Sequence, residues 1–304
     1  MKLWKEYAIE PSLFANFHLG NEILAGIGID NGRIVGAVPK KWSRRVREVG
    51  LANNRPGDQL RLIERLNGLR PAIFARDYQY DGTRPWIDQA LECHAHVPFD
   101  GILASGTHAN AVVTDVSPGV FDQPCWENER KLDVPRSSNE IAEALSRILA
   151  HARDVIIVDA YFNPAVALPQ GKWLRPISAI GSKLRVDGQL ARFEVHALSS
   201  HHDPWAAGLF SIHCRNNLAG AVPRGLSLNA MLWKERTGGV QFHERLIVTD
   251  IGGVVVDPGI DDGPAGETYT LRLINKQEIP NYLAKFVPAT APYDLVESEV
   301  VVGT

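Results

Sequence analysis

The sequence predicts an α/β protein in which a mixed β-sheet flanked by helices follows a separate, smaller α/β domain. Two observations support this prediction. Helical and strand-like hydrophobic patterns alternate along the chain, and 304 residues are many for one hydrophobic core. We therefore expect two domains, residues 1–135 and 136–304. A hydrophobic fraction of 45% with 22% charged residues is that of an ordinary globular protein.

The first domain begins with a strong turn signal. Asn31-Gly32 stands between two apolar runs, at 23–29 and 33–38, and this dipeptide is typical of a two-residue β-hairpin. Asp58 is placed to cap a helix that ends at Gly68. Further strands are predicted at 73–75 and 101–104, and a proline-containing linker at 116–135.

A helix and a buried strand open the second domain. Ser137-Ser138-Asn139-Glu140 has the form of a capping box, and the apolar residues after it recur on one helical stripe. Val155-Ile156-Ile157-Val158 is a continuous apolar run, which is typical of a central strand buried on both faces. The elements predicted after it are a strand at 193–198, a helix from Asp203-Pro204 to about 218, a strand at 226–232 and a hairpin that turns at Gly252-Gly253.

The first strand of this hairpin carries the candidate chemistry. Side chains alternate between the two faces of a strand, so His243 and Arg245 are expected on one face and Leu246 on the other. An imidazole can attack a phosphodiester, and a guanidinium beside it can hold the phosphate oxygens. Asp250 follows five residues after the arginine. The arrangement predicts attack on phosphorus by chemistry that requires no metal.

This spacing resembles the His-x-Lys-x4-Asp signature of the phospholipase D superfamily, with Arg245 in the place of the lysine. The order of elements over 137–304 also resembles the phospholipase D-like domains of bacterial proteins, and the related domain at the C-terminus of some MIT-domain proteins. The resemblance implies a metal-independent phosphodiesterase without a cofactor. It also implies a phosphohistidine at His243, and a homodimer in which His243 of the partner subunit protonates the leaving oxygen.

The resemblance further implies roles for individual residues. His243, Arg245, Asp250 and Glu267 are the expected catalytic residues: the nucleophile, the cation that stabilises the transition state, a structural anchor and the acid that orients the histidine. Catalytic members of the family have Gly-Ser-x-Asn in the loop that ends here at Asp261, and we expect Asp261 to contact the substrate. The missing hydroxyl and amide keep a second function open, a disabled module that binds a phosphate-rich ligand.

A basic cluster in the first domain is a second candidate surface. Five cations fall within the eight residues that begin at 40. Helical spacing would gather Lys41, Arg44 and Arg45 on one side, where they would bind the phosphate backbone of a nucleic acid. Glu48 interrupts the run, and a solvated basic helix is the alternative.

Four patterns have plainer readings. His201-His202-Asp203 contains metal-binding residue types, but adjacent side chains point apart and Asp203 is explained as a helix cap. His94-Ala95-His96 with Asp100 faintly resembles a decayed copy of the motif without its cation. For the motif itself, the alternative is an ordinary ion pair between Arg245 and Asp250. The three cysteines are scattered, which argues against a disulfide framework and against a zinc site.

These patterns together favour a metal-independent nuclease as the function. The chain has no run of eighteen apolar residues and no signal peptide, so we expect a cytoplasmic protein without a membrane span. The absence of membrane features favours nucleic acid over lipid as the substrate. Bacterial members of the family resemble effectors in defence against foreign DNA, which implies a partner protein at the first domain. The alternatives are a disabled module that binds nucleic acid or phospholipid headgroups, and a scaffold for a partner protein.

Overall fold

The computed structural model describes residues 1–117, 119–120, 123–127, 129–168, 170–185, 190–201 and 208–304, apart from the side chain of residue 125. It confirms the predicted α/β class, with one parallel and one mixed sheet. The chain divides into two compact units, residues 4–129 and residues 1–3 with 130–304. We call them the N-terminal unit and the C-terminal unit.

The N-terminal unit contains a parallel five-stranded sheet. Its elements are β1 (Lys5–Ile9), α1 (Phe17–Gly26), β2 (Arg33–Ala37), α2 (Trp42–Asn53), α3 (Pro56–Gly68), β3 (Ile73–Ala75), α4 (Trp86–His96), β4 (Gly101–Ala104) and β5 (Val113–Asp115). The strands lie in the order β3-β2-β1-β4-β5. The strands predicted at 73–75 and 101–104 are confirmed, and the predicted helix ends at Gly68 as expected. The cap predicted at Asp58 is wrong, because the helix begins at Pro56 and Asp58 lies in its first turn.

The hairpin predicted around Asn31-Gly32 is wrong. Residues 17–26 form α1, because the Asn16 side chain accepts hydrogen bonds from the backbone N–H groups of His18 and Leu19 and so caps a helix. Gly32 still takes the left-handed conformation that the turn requires, with φ of 64°. The turn therefore joins a helix to β2, and β2 pairs in parallel with β1.

A buried ion pair lies within the N-terminal sheet. Nε of Arg76 is 2.7 Å from Oε1 of Glu6, and both side chains are buried. Arg76 also lies over the Phe99 ring, with Cζ 4.3 Å from the ring centre. Gly36 of β2 makes room for this group, since a Cβ there would lie 2.3 Å from Oε1 of Glu6 and 2.5 Å from the Phe99 ring.

The C-terminal unit contains the mixed eight-stranded sheet. Its elements are β6 (Lys131–Pro135), α5 (Ser138–Leu149), β7 (Asp154–Asp159), α6 (Leu174–Gly181), β8 (Arg192–Leu198), α7 (Leu209–Asn217), β9 (Ser227–Glu235), β10 (Arg245–Thr249), β11 (Gly253–Asp257), β12 (Thr268–Leu273), α8 (Ile279–Lys285) and β13 (Tyr293–Val302). The strand order is β13-β9-β8-β7-β10-β11-β12-β6. Strands β7, β8 and β9 are mutually parallel, whereas the other neighbours are antiparallel.

Most predicted elements of this unit are confirmed. Strand β7 is internal and buried, and β10 and β11 form the predicted hairpin. The helix predicted from Asp203-Pro204 begins outside the described residues, and α7 starts at Leu209. Residues 131–135 of the predicted linker instead form β6, which pairs with β12. Within the described ranges, no helix has the length and apolar character that crossing a membrane requires.

We predict that Gly36→Ala destabilises the N-terminal unit, because the added methyl group would displace the Glu6 carboxylate from Arg76. Breaking a buried ion pair costs about 3–5 kcal/mol, and urea unfolding monitored by tryptophan fluorescence measures the loss.

Gly57→Ala is the matched control, since nothing lies within 4 Å of a Cβ at that position in α3. Its free energy of unfolding should change by less than about 1 kcal/mol. Equal stability of the two variants would show that the close approach at Gly36 carries no energetic consequence.

Candidate functional site

The candidate site lies at one edge of the mixed sheet, where β7 and β8 end and β10 begins. Arg245, the first residue of β10, lies opposite Asp159, the last residue of β7. Strand β8 runs parallel to β7 and is followed by a short helical turn that ends at His201. Strand β11 ends at the same edge and leads into the loop after Asp257. Residues distant in sequence therefore meet here.

His243 lies just before β10 rather than within it. The predicted alternation of side chains along a strand therefore does not fix its position. The residues next to it fix its backbone instead. The Phe242 ring is buried among aromatic residues, with ring centres 5.0 Å from Tyr293 and 5.6 Å from Phe286. The backbone N–H of Phe242 donates to Glu235 (2.6 Å). These contacts fix the backbone and leave the imidazole of His243 exposed.

Glu244, the residue after His243, is also held in place. Its carboxylate pairs with Lys285 of α8. Burial lowers the pKa of Lys285, but the hydrogen bonds to Glu244 and Tyr293 and the charges of both partners together hold that pKa above its ordinary value. Among the described residues, none forms a hydrogen bond with the His243 ring, so the imidazole is held by its backbone alone.

Arg245 is fixed more tightly than His243. Its Nη1 donates to the carbonyl oxygen of Pro258 in the loop after β11. Its Cζ lies 4.9 Å from the centre of the Tyr161 ring, a cation–π contact. The His201 ring also stacks on the Tyr161 ring, with ring centres 4.0 Å apart. Tyr161 thus joins the arginine to a second histidine.

The carboxylate of Asp159 ties the loop to the end of β7. Oδ1 accepts the backbone N–H of Tyr161 (2.9 Å), and Oδ2 accepts that of Ile260 (2.9 Å). Burial raises the pKa of Asp159 to about 6, although these two hydrogen bonds and Arg245 oppose the shift. A Cβ at Gly259 would lie 2.9 Å from Oδ2, so glycine lets the loop approach this closely.

The loop brings further acidic side chains to the same edge, and each is paired. Asp261 is buried, with Oδ1 2.5 Å from Nη2 of Arg136 and Oδ2 2.8 Å from Nζ of Lys172. Oδ2 of Asp262 lies 3.1 Å from Nη1 of Arg175. The positive charges at this edge are therefore largely matched by carboxylates, and an incoming phosphate would have to compete with them.

An open groove continues from this edge between the N-terminal end of α5 and α6. Its volume is ≈ 540 Å³, and its lining includes Ser137, Ser138, Asn139, Arg175, Ser178 and Asp262. Two of its donors are already engaged, because the Ser138 hydroxyl and the Arg175 guanidinium both donate to Asp262. The side chains of Ser137 and Ser178 line the same groove.

Asp250 lies at the opposite end of β10 from His243. Its Oδ1 accepts the backbone N–H groups of Arg153 (2.9 Å) and Asp154 (3.1 Å), where β7 begins. Burial, and then the charge of Asp250, raise the pKa of Asp154. The position agrees with the anchoring role that the sequence analysis gave to Asp250, and it separates Asp250 from the candidate chemistry.

Two other groups of predicted site residues have partners of their own. The Glu267 carboxylate lies 2.6 Å from Nη1 of Arg136, so it orients that arginine in the structure. Lys41, Arg44 and Arg45 belong to the N-terminal unit, where all three are exposed at the start of α2. Both arginines pair with Glu48, at 2.8 and 3.2 Å. The structure thus groups His243, Arg245 and Asp261 at one edge.

Several residues at this edge were not predicted to belong to this site, namely Asp159, Tyr161, Lys172, Arg136, Arg175 and His201. For Asp159 and Tyr161 a signal existed, because they directly follow a run predicted to be a central buried strand, and ligand sites gather at the carboxyl ends of such strands. Arg136 and Lys172 pair with Asp261, and Arg175 pairs with Asp262; no local pattern in the sequence indicates these ion pairs.

No model of a known protein family matches the chain, and a search of curated proteins finds no relative. In the part of the chain that the structure describes, no group of three or more His, Cys, Asp or Glu side chains is arranged to hold a metal ion.

We predict a pH-dependent difference in stability between the wild type and Asp159→Asn. The folded-state pKa of about 6 lies above the ordinary value of 3.8. The folded protein therefore keeps a proton that the unfolded chain releases, so this group stabilises most below the lower pKa and loses that stabilisation as pH rises to about 6.

The amide of the variant does not ionise. Two pKa units correspond to roughly 3 kcal/mol, so the stability advantage of the wild type should shrink by up to that amount between about pH 4 and pH 7. Urea unfolding of both proteins across this window measures it. A stability difference between the two proteins that stays constant with pH would contradict the raised pKa of Asp159.

We also predict that Asp250→Ala lowers stability by about 1 kcal/mol, because two backbone N–H groups lose their acceptor. Asp250→Asn should stay close to the wild type, since the amide oxygen still accepts both. Thermal unfolding compares the variants, and any activity of the folded Asp250→Asn protein should be unchanged. Loss of activity without loss of stability would make Asp250 part of the chemistry.

Proposed function

We propose that the C-terminal unit is a metal-independent phosphodiesterase of the phospholipase D type that cleaves nucleic acid, with His243 as the nucleophile. The proposal depends mainly on one observation. The His243 imidazole is exposed at a sheet edge, on a backbone segment fixed by buried Phe242 and by the Glu244 pair with Lys285. A free nitrogen on a fixed backbone suits nucleophilic attack.

Arg245 supports the same chemistry. It lies two residues from His243, at the same edge, and its guanidinium is already oriented by the Pro258 carbonyl and the Tyr161 ring. A planar cation held in this way stabilises the charge that builds up on phosphate oxygens in the transition state. In the proposed reaction His243 displaces the leaving oxygen from phosphorus, and water then releases the phosphate from the histidine.

The substrate class rests on the groove beside this edge. Its serine hydroxyls, Asn139 and Arg175 are suited to a polar chain that continues past the reacting phosphate. Nucleic acid is such a chain, and phosphate contacts from hydroxyl and guanidinium donors are common in its recognition. The basic residues Lys41, Arg44 and Arg45 of the N-terminal unit are proposed as a second contact. A role in defence against foreign DNA and a homodimer rest only on the resemblance, and a cytoplasmic location rests on the sequence; all three belong to the same proposal.

A second candidate function is binding without cleavage. Asp261 stands in the loop where catalytic members of the resembled family have a hydroxyl and an amide, and its carboxylate already pairs with Arg136 and Lys172. This pairing removes positive charge that would otherwise attract the phosphate. A module with such a site would hold a phosphate-rich ligand through Arg245 and Arg175 and leave it intact.

The test is cleavage of end-labelled single-stranded and double-stranded DNA and RNA, with and without excess EDTA. We expect wild-type cleavage to persist in EDTA and to disappear in His243→Ala. Arg245→Lys keeps the charge but loses the planar fork, so a partial loss of cleavage is expected. His18→Ala, an exposed histidine of α1, is the matched control and should cleave at the wild-type rate.

Each outcome decides between the two functions. Cleavage that requires a divalent metal, or that survives in His243→Ala, would reject the histidine mechanism. Binding of the labelled strands without cleavage, weakened in Arg245→Ala, would favour the binding module. Light scattering on the purified protein tests the homodimer separately.

A further inference from the structure

We propose that His201 is the proton donor to the leaving oxygen, so that one chain carries both imidazoles of the reaction. This inference rests on the proposed function. When a phosphodiester is cleaved by a nitrogen nucleophile, the departing alkoxide is strongly basic and needs a proton, which a positioned side chain supplies most efficiently. His243 cannot supply it, because its nitrogen has become bonded to phosphorus.

The geometry brings His201 to the reacting edge. The turn that carries it follows β8 directly, and β8 lies beside β7. The His201 ring stacks on Tyr161 at 4.0 Å with an interplanar angle of 26°, and Cζ of Arg245 lies 4.9 Å from the centre of that same Tyr161 ring. The His201 ring centre therefore lies no farther than about 9 Å from Cζ of Arg245. The Tyr161 ring thus contacts both the proposed acid and the cation that would hold the phosphate.

Solvent exposure favours His201 over the other candidate proton donors at this edge. His201 and Tyr161 are both exposed, so a substrate can reach them. Asp159 has a raised pKa, but it is fully buried and both of its oxygens accept backbone N–H groups. The ammonium group of Lys172 is already engaged in an ion pair with Asp261. Among the described residues of this edge, His201 is the exposed imidazole other than His243.

The step balances with water as the co-reactant. A ring nitrogen of His243 forms a bond to phosphorus while the bond from phosphorus to the leaving oxygen breaks, and the imidazolium of His201 gives its proton to that oxygen. Neutral His201 then takes a proton from water as the water oxygen attacks phosphorus. The bond between phosphorus and His243 breaks, and both histidines return to their starting states.

The experiment compares two substrates that differ in their need for an acid. The leaving group of bis(p-nitrophenyl) phosphate departs without protonation, whereas that of a thymidine dinucleotide does not. His201→Phe removes the proton and keeps an aromatic ring to stack on Tyr161. We expect it to slow dinucleotide cleavage by at least roughly 100-fold, and cleavage of the nitrophenyl ester by less than about tenfold.

His243→Ala should be inactive on both substrates, because it lacks the nucleophile. Equal loss on both substrates in His201→Phe, or wild-type rates on both, would overturn the role of His201 and leave the nucleophile standing. Restored dinucleotide cleavage on mixing His201→Phe with His243→Ala would place the two imidazoles in different chains and also overturn it. No cleavage of either substrate by the wild type would overturn both this inference and the proposed function.

Discussion

The buried carboxylate of Asp159 is the interaction on which the candidate site depends. It ends the central strand β7, accepts the N–H groups of Tyr161 and Ile260, and faces Arg245 across the sheet. A buried ionised carboxylate is unfavourable unless hydrogen bonds and a nearby cation compensate for lost hydration. Here the compensation is partial, since the pKa of Asp159 stays raised, and it comes from the same groups that shape the edge. The loop after β11, the aromatic ring under Arg245 and the arginine itself are therefore positioned together by one side chain.

Cations and carboxylates lie next to one another at this edge and form a network of ion pairs. Arg136 bridges Asp261 and Glu267, and Lys172 reaches Asp261 from another element. Such a network fixes long side chains in place before any ligand arrives. It also lowers the net positive potential that would draw a polyanion from a distance. The side chains of the site are therefore held in fixed positions, but their net charge attracts a distant polyanion only weakly. Any electrostatic steering of such a ligand has to come from other surfaces of the chain.

The sequence predicted the strong, local features of the fold and missed those that depend on distant partners. Strand β7, helix α5 and the β10–β11 hairpin followed from periodicity and turn chemistry. The hairpin around Asn31-Gly32 failed because the cap at Asn16 makes a helix of the apolar residues before it. At the site, His243 and Arg245 were found from their spacing. Asp159, Tyr161 and His201 were not, because the two segments that carry them meet only when β7 and β8 pair in parallel.

Three consecutive residues before β10 lie in three different environments, and this has a thermodynamic consequence. Phe242 is packed in an aromatic cluster, Glu244 is tied to α8, and His243 between them is exposed. The backbone entropy of this segment has thus been lost during folding, not at the moment of ligand capture. A ligand that engaged His243 would restrict only the rotamers of one short side chain. Preorganisation of this kind leaves more of the contact energy available as affinity or as stabilisation of a transition state.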